Sequence, residues 1–178
     1  MLSAEVFEIA GRRVWIAVFW AEKVQGITFA LDDEQFSKNI ERLFGFLRRR
    51  GVDVDLARGG SDYPALVRDV ILGRIDNADL LPELSFESVT PFERRVYEWL
   101  TKNVKRGSVI TYGSLAKALN TSPRAIGGAM KRNPYPVVIP CHRVVARDGI
   151  GHYTPRLDEK IFLLKTEGVE EWTGLKRI

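Results

Sequence analysis

The chain has 178 residues, enough for one large domain or two small ones; at 45% apolar and 28% charged it can bury a core and remain in solution. No apolar run approaches the roughly 20 residues a membrane span needs. The start, Met1-Leu2-Ser3-Ala4-Glu5, lacks the basic-then-apolar layout of a secretion signal, so a cytoplasmic protein with no membrane partner is expected. The only cysteine, Cys141, excludes an intramolecular disulfide and a multi-cysteine metal site.

Charge divides the chain. Residues 1–90 carry 11 Lys+Arg against 15 Asp+Glu, a net −4, whereas residues 91–178 carry 16 against 8, a net +8. A basic module attracts polyanions, nucleic acid foremost, although lysines and arginines also serve simply to solvate helix faces.

In chain order, residues 14–19 and 24–29 are rich in β-branched and aromatic residues, and Ala21-Glu22-Lys23 between them predicts a hairpin. From Glu34 to Arg50, Phe36, Ile40, Leu43, Phe44 and Leu47 recur at helical spacing, and Gly51 ends the pattern. A second helical stretch runs from Tyr63 to Leu72. Asp53, Asp55, Asp62 and Asp76 lack tight ligand spacing and read as loop and cap acids. Asp79 to Pro91 contains two prolines and reads as a linker. We therefore expect an α/β domain over 1–80, a linker over 81–90 and a mostly helical domain over 91–178.

The second half opens with Thr90, Pro91 and Glu93 arranged as a capping box. Phe92, Val96, Trp99 and Leu100 supply the apolar face of that helix. Ser108-Val109-Ile110 is a short extended piece. Thr111 then caps a short helix whose inner face is Leu115, Ala118 and Leu119. Asn120-Thr121-Ser122 turns the chain, and Pro123 opens a second helix reaching about Lys131, a helix-turn-helix pattern. Gly127 and Gly128 each cost that helix about 1 kcal/mol relative to alanine. Close approach to another backbone accounts for them, whether internal packing or DNA.

Asn133-Pro134-Tyr135-Pro136 is a rigid turn into Val137-Val138-Ile139, which reads as a buried strand or extended segment, and Pro140 then presents Cys141. A thiol near pKa 8.5 needs a base or cation to become a thiolate. His142 is the adjacent candidate, yet neighbours on an extended chain point to opposite faces. Either the chain kinks or a water relays the proton. An acid behind the imidazole would complete a nucleophile–base–orienter arrangement, and Glu167 could supply it. Arg143 reads either as an internal ion pair or as positive potential near the sulfur. A buried structural cysteine is the alternative for Cys141.

Gly127-Gly128-Ala129-Met130, Asn133-Pro134 and Ile139-Pro140-Cys141-His142-Arg143-Val144-Val145 resemble, in order and spacing, the O6-alkylguanine-DNA alkyltransferases. The resemblance covers about residues 90–170. It implies a ribonuclease-H-like α/β N-terminal domain and a helical C-terminal domain with a winged-helix type of helix-turn-helix. The implied activity is direct reversal of damage in double-stranded DNA. An alkyl group passes from O6-alkylguanine, and less efficiently O4-alkylthymine, to Cys141, once per molecule and without a cofactor. It implies a monomer, with cooperative assembly on DNA left open. Position by position, Cys141 matches the acceptor, His142 the water-linked base, Glu167 the acid that orients it, and Asn133 the hinge. Arg124 matches the residue that fills the gap left by the flipped base. Tyr112 matches the tyrosine that crowds the 3′ phosphate, and Tyr153 a hydrogen-bond donor to guanine. Thr154 and Val144 fall in the substrate pocket, and Ala125, Gly127, Gly128, Lys131 and Arg132 on the DNA face. The implied minor-groove docking calls for a slim helix face, here Ala125, Gly128 and Ala129.

The chain departs from some relatives at Lys131-Arg132 and at Pro155-Arg156, where glycines occur, and Thr154 replaces a serine. The zinc site of some relatives needs cysteine and histidine in the first domain; none precedes Cys141-His142, so no metal is expected. A damage sensor of related fold, a helix-turn-helix transcription factor and a cysteine hydrolase are the competing readings.

Overall fold

A computed structural model describes residues 1–151 and 156–169. The first half is a three-stranded antiparallel meander, β1 (Leu2–Ile9), β2 (Arg12–Trp20) and β3 (Val24–Ala30), in that order. β1 was not anticipated. Its exposed run Ala4-Glu5-Val6 interrupts the alternation, and its hairpin turn is carried by Ala10 and Gly11, both at positive φ (51° and 76°).

Helix α1 (Asp33–Arg49) lies across one face of the sheet. Asp32 caps it by accepting from the Gln35 amide at 2.7 Å. Leu43 and Leu47 come down on β3 at Gly26, where a Cβ would lie 3.0 Å from Leu47 and 3.2 Å from Leu43, so any larger residue would push these leucines back. All seven residues of β3 are buried, because the sheet's other face is covered too. Helix α2 (Tyr63–Ile71) packs there with Val67, Val70 and Ile71.

The stretch expected to be a linker is packed structure. Asn77–Glu83 forms a 3-10 helix, and Leu81, Leu84 and Phe86 are buried. Leu84 bridges Val24 of the sheet, and Phe86 stacks edge-on against Tyr135 at 5.7 Å. Prolines here shape a strap that apolar side chains fix down. One continuous core therefore runs from Ile16, Ile27 and Phe29 of the sheet to Val96, Leu100, Leu115 and Ile126 of the second half.

That half begins with α3 (Pro91–Asn103). Its capping box is complete: the Glu93 amide donates to Thr90 Oγ1 at 3.1 Å and the Thr90 amide to Glu93 Oε1 at 3.0 Å. After the short strand β4 (Ile110–Thr111), α4 (Tyr112–Ala118) and α5 (Pro123–Lys131) form the helix-turn-helix. Thr111 and Ser122 cap them, accepting from the Ser114 and Ala125 amides. The inner face of α4 is Leu115 and Ala116 with Leu119 following; Ala118 is exposed, a correction to the expected face. β4 pairs in parallel with β5 (Val144–Val145), Ile110 opposite Val144, so the start of α4 is fastened beside the Cys141 turn. Helix α6 (Leu157–Thr166) follows, with Glu167 as its C-cap.

Candidate active site and nucleic-acid face

Residues 137–139 are buried but form a turn, not the expected strand. Side-chain amides take the carbonyls that a sheet partner would otherwise claim. Asn133 Nδ2 donates to Ile139 O at 3.1 Å, while its Oδ1 accepts from the Tyr135 amide at 2.9 Å, so Asn133 clasps both sides of the loop at the end of α5. Val137 sits at φ 77°, a left-handed conformation that β-branched residues rarely adopt. At Pro140 (φ −81°, ψ 60°) the Cys141 amide donates to Ile139 O at 2.8 Å, an inverse γ-turn. Cys141-His142-Arg143 then forms one 3-10 turn. The chain does kink at the cysteine, so the two side chains diverge as in a helix instead of alternating.

Behind Cys141 lies a buried ionic chain. His142 Nε2 lies 2.8 Å from Glu167 Oε1. Arg143 donates through Nε to Glu167 Oε2 at 3.0 Å and through Nη2 to Oε1 at 2.8 Å, a two-pronged grip. Its Nη1 donates to Val104 O at 2.8 Å, and Nη2 also reaches Asn77 Oδ1 at 3.1 Å. Arg143 is thus the internal ion pair of the two readings. Burial opposes the Glu167 charge, but His142 and Arg143 more than offset it and hold the carboxyl at about 2. Burial pushes the His142 imidazole below its usual value, with Glu167 pulling the other way. A neutral ring facing a carboxylate carries its proton on Nε2. Among the described residues its buried Nδ1 has no hydrogen-bond partner and keeps a lone pair that can accept a proton.

Cys141, a reduced thiol that is 7% exposed, lines a cleft of about 1170 Å³ together with Tyr112, Arg124, Gly127, Lys131 and Asn133. Arg132 also lines it, but its Nε is tied to Glu93 Oε2 at 2.7 Å. β3 and α1 form the opposite wall through Ile27, Phe29 and Phe46. Among the described residues a Cβ on Gly127 would meet nothing within 4 Å, so internal packing does not explain that glycine; one on Gly128 would come 3.0 Å from the Arg132 guanidinium, the far end of a flexible side chain. Ala125 is half-buried on the same helix. Ala129, expected on the slim outer face, points inward, fully buried, and its carbonyl accepts from Tyr97 Oη at 2.6 Å. Its neighbour Ile126 is fully buried as well, which sets the inner side of α5.

Val144 is buried in β5, and its carbonyl accepts from Lys160 Nζ at 2.7 Å. Tyr153 and Thr154 lie outside the described residues. Lys160 and Asn77 were not singled out from sequence. Lys160 is fully buried, and burial lowers its ammonium to about 8, with nearby Cys141 opposing. Its only sequence signal is a lysine abutting the apolar run Ile161-Phe162-Leu163-Leu164, and Asn77 has none. Asp55 and Asp76 accept from the Ala57 and Ala78 amides, as loop and cap acids do. Among the described residues no group of three or more His, Cys, Asp or Glu is placed to hold a metal ion, and no helix is long and apolar enough to cross a membrane.

Comparison with known proteins follows the same division. Residues 91–169 match the family described as "6-O-methylguanine DNA methyltransferase, DNA binding domain", and residues 1–85 match "Methylated DNA-protein cysteine methyltransferase, N-terminal". The methylated-DNA–protein-cysteine methyltransferase of Thermococcus kodakarensis is 63% identical over 174 residues, 98% of this chain and 100% of that one. Its counterpart from Thermococcus gammatolerans is 61% identical over the same shares. The crystal structure of O6-methylguanine-DNA methyltransferase from Pyrococcus kodakaraensis superposes with a TM-score of 0.94 at 63% identity, covering 95% of this chain and 100% of that one. The Mycobacterium tuberculosis protein solved in complex with DNA shares the fold at 18% identity, with a TM-score of 0.64. Two-domain fold, the turn at Cys141 and relatedness agree: the chain belongs to the O6-methylguanine-DNA methyltransferase family.

Proposed function

We propose that this protein repairs DNA by direct reversal, taking the alkyl group from O6-alkylguanine onto Cys141. A Cys141 thiolate attacks the alkyl carbon, the Sγ–C bond forms as the O6–C bond breaks, and the bond's electron pair leaves with the guanine. The substrate carries its own electrophile, so no cofactor enters. The S-alkylcysteine is a thioether with no second thiol in the chain to relieve it, so each molecule acts once.

The observation that carries this reading is Cys141 on the wall of the cleft, with a neutral, Glu167-oriented imidazole behind it whose Nδ1 keeps an open lone pair. His142 draws the thiol proton through a bridging water, because the turn splays the two side chains apart. Asn133 sets the acceptor turn against α5. Tyr112, Tyr153, Thr154 and Val144 form the base pocket. Arg124, Ala125, Gly127, Gly128, Lys131 and Arg132 form the DNA face. Supporting that face are Gly127, open among the described residues, and the exposed cations Arg124 and Lys131. The helix enters the minor groove, and the target nucleotide is flipped into the cleft. O4-alkylthymine is a poorer substrate. The first domain, 1–80, is ribonuclease-H-like and joins through 81–90 to a winged-helix type of DNA-binding domain, 91–178. The protein acts as a cytoplasmic monomer on duplex DNA.

The test is a mass measurement. Incubation with a duplex containing O6-methylguanine should add a single methyl group to the Cys141 peptide, never more than one per protein. Cys141→Ala should abolish transfer and retain DNA binding. Methylation elsewhere, or turnover beyond one equivalent, would sink the proposal.

A further inference from the structure

Asn77 belongs to the part of the chain matched by the N-terminal family description, 60 residues away from the acceptor turn it touches. It opens the 3-10 helix, where Asp76 fixes the backbone by accepting from the Ala78 amide at 2.8 Å. The Asn77 side chain is 6% exposed, and both ends of its amide are engaged. Nδ2 donates to Val137 O at 2.7 Å and to Val138 O at 3.1 Å, while Oδ1 accepts from Arg143 Nη2 at 3.1 Å.

Those contacts fall on either side of Cys141. Val137 and Val138 form the turn that precedes Pro140, and Val137 holds a positive φ that a valine keeps only where its surroundings impose it. Arg143 ends the 3-10 turn that begins at Cys141 and grips Glu167, which in turn orients His142. One amide therefore ties the approach to the nucleophile to the chain of groups behind it. A second contact from the same half supports the loop: the Ile27 amide of β3 donates to Pro134 O at 2.8 Å.

We propose that Asn77 is a positioning residue for alkyl transfer, through which the N-terminal half holds the acceptor turn and the Arg143–Glu167–His142 chain in mutual register. The inference rests on the transfer reading above. It gives the first domain a part in the reaction: without Asn77 the C-terminal half would retain its DNA face and its thiol but lose the alignment between thiol and base.

The experiment is single-turnover methyl transfer from duplex DNA, with rate followed against DNA concentration for the full-length wild type, Asn77→Ala, Asn77→Asp and Asn77→Ser. Asn77→Ala should lower the maximal rate tenfold or more, with the half-saturating DNA concentration within twofold of wild type. Asn77→Asp keeps an acceptor for Arg143 but loses the donor to the two carbonyls, and it should be as slow as alanine. The serine hydroxyl is too short to serve both carbonyls; this milder variant should be several-fold slower and covers the case in which alanine fails to fold. A maximal rate within twofold of wild type in folded Asn77→Ala or Asn77→Ser overturns the proposal. So does full recovery in Asn77→Asp, or a loss appearing wholly as weaker DNA binding. Wild-type protein that takes up no methyl group would instead refute the transfer reading itself.

Discussion

At the scale of single residues, the site turns on which nitrogen of His142 carries the proton. Glu167, held ionised by its neighbours, can only accept, so Nε2 donates and Nδ1 keeps its lone pair as the proposed base. Burial lowers the imidazole, and the sign of the pH effect follows. A depressed folded value keeps Nδ1 unprotonated from neutral pH down past the ordinary 6.5, and the base is lost only as pH falls through the lowered value. Single-turnover transfer should therefore hold its rate at pH 6.5 and decline below it. His142→Gln should slow transfer about 100-fold or more, the usual worth of a positioned base, and erase that acid limb. An acid limb centred above pH 6.5 would show that Glu167 dominates over burial and that this account of the tautomer is wrong. Glu159 shows the same forces with another outcome. It is 1% exposed, and burial, with the Asp158 charge beside it, raises it to about 8 against a smaller opposing pull from Asn39. It is protonated at pH 7 while its unfolded counterpart is ionised, so it costs stability as pH rises from about 4.5 to 8. Glu159→Gln should thus raise the melting temperature little at pH 4 and most at pH 8; a gain independent of pH would contradict the raised value.

Among the elements, α5 carries the sharpest conflict between local propensity and observed structure. Two glycines weaken a nine-residue helix, and among the described residues nothing stands within 4 Å of where a Gly127 Cβ would lie. Gly127→Ala should therefore stabilise the protein by about 1 kcal/mol, the helix propensity difference. It should also weaken DNA binding at least threefold, since the added methyl would stand on the face proposed to enter the groove. Stabilisation with unchanged DNA affinity, measured by melting and by equilibrium binding, would remove α5 from the contact surface. Legibility followed the same local logic. The capping box at Thr90, the cap at Thr111 and the apolar stripe of α1 are written in adjacent residues and are legible there. What escaped depends on partners far along the chain. The 137–139 turn reads as a strand because its residues are an apolar run; Asn77, which claims two of its carbonyls from 60 residues away, leaves no mark in the local pattern, whereas Asn133, six residues from Ile139, is named through the family resemblance. Ala129 was misplaced because small residues suit a groove and a tight core equally. Cys141 and His142 are legible as neighbours and Glu167 through the family resemblance, but that Arg143 shares the Glu167 carboxylate with His142 is not written in the local sequence.

Across the whole molecule, the two halves behave as one unit because their connection is buried at both ends. A single core crosses from the sheet to α3 and α5, and one carboxylate pins its edge. Glu93, 2% exposed near the start of α3, takes Arg50 from the end of α1 at 2.9 Å and Arg132 from the end of α5 at 2.7 Å. It also accepts from the Thr90 amide. Burial opposes its charge, yet Arg50 and Arg132 outweigh that and bring it to about 2. A depressed carboxylate stabilises the fold above its unfolded value near 4.5, and that contribution disappears as pH falls through about 2. Arg132 is 45% exposed on its side chain, so the pair is worth less than a fully enclosed one. Glu93→Gln should cost about 2–3 kcal/mol at pH 7, below the usual range for breaking a buried pair. For a chain of this size that is roughly a 5–10 °C fall in melting temperature. Because the halves share a core, wild type and variant should each melt in one transition. The gap between them should stay constant from pH 7 to about 5 and close on approaching pH 2. Two separated transitions, or a gap as wide at pH 2.5 as at pH 7, would mean that Glu93 does not join the halves through its charge.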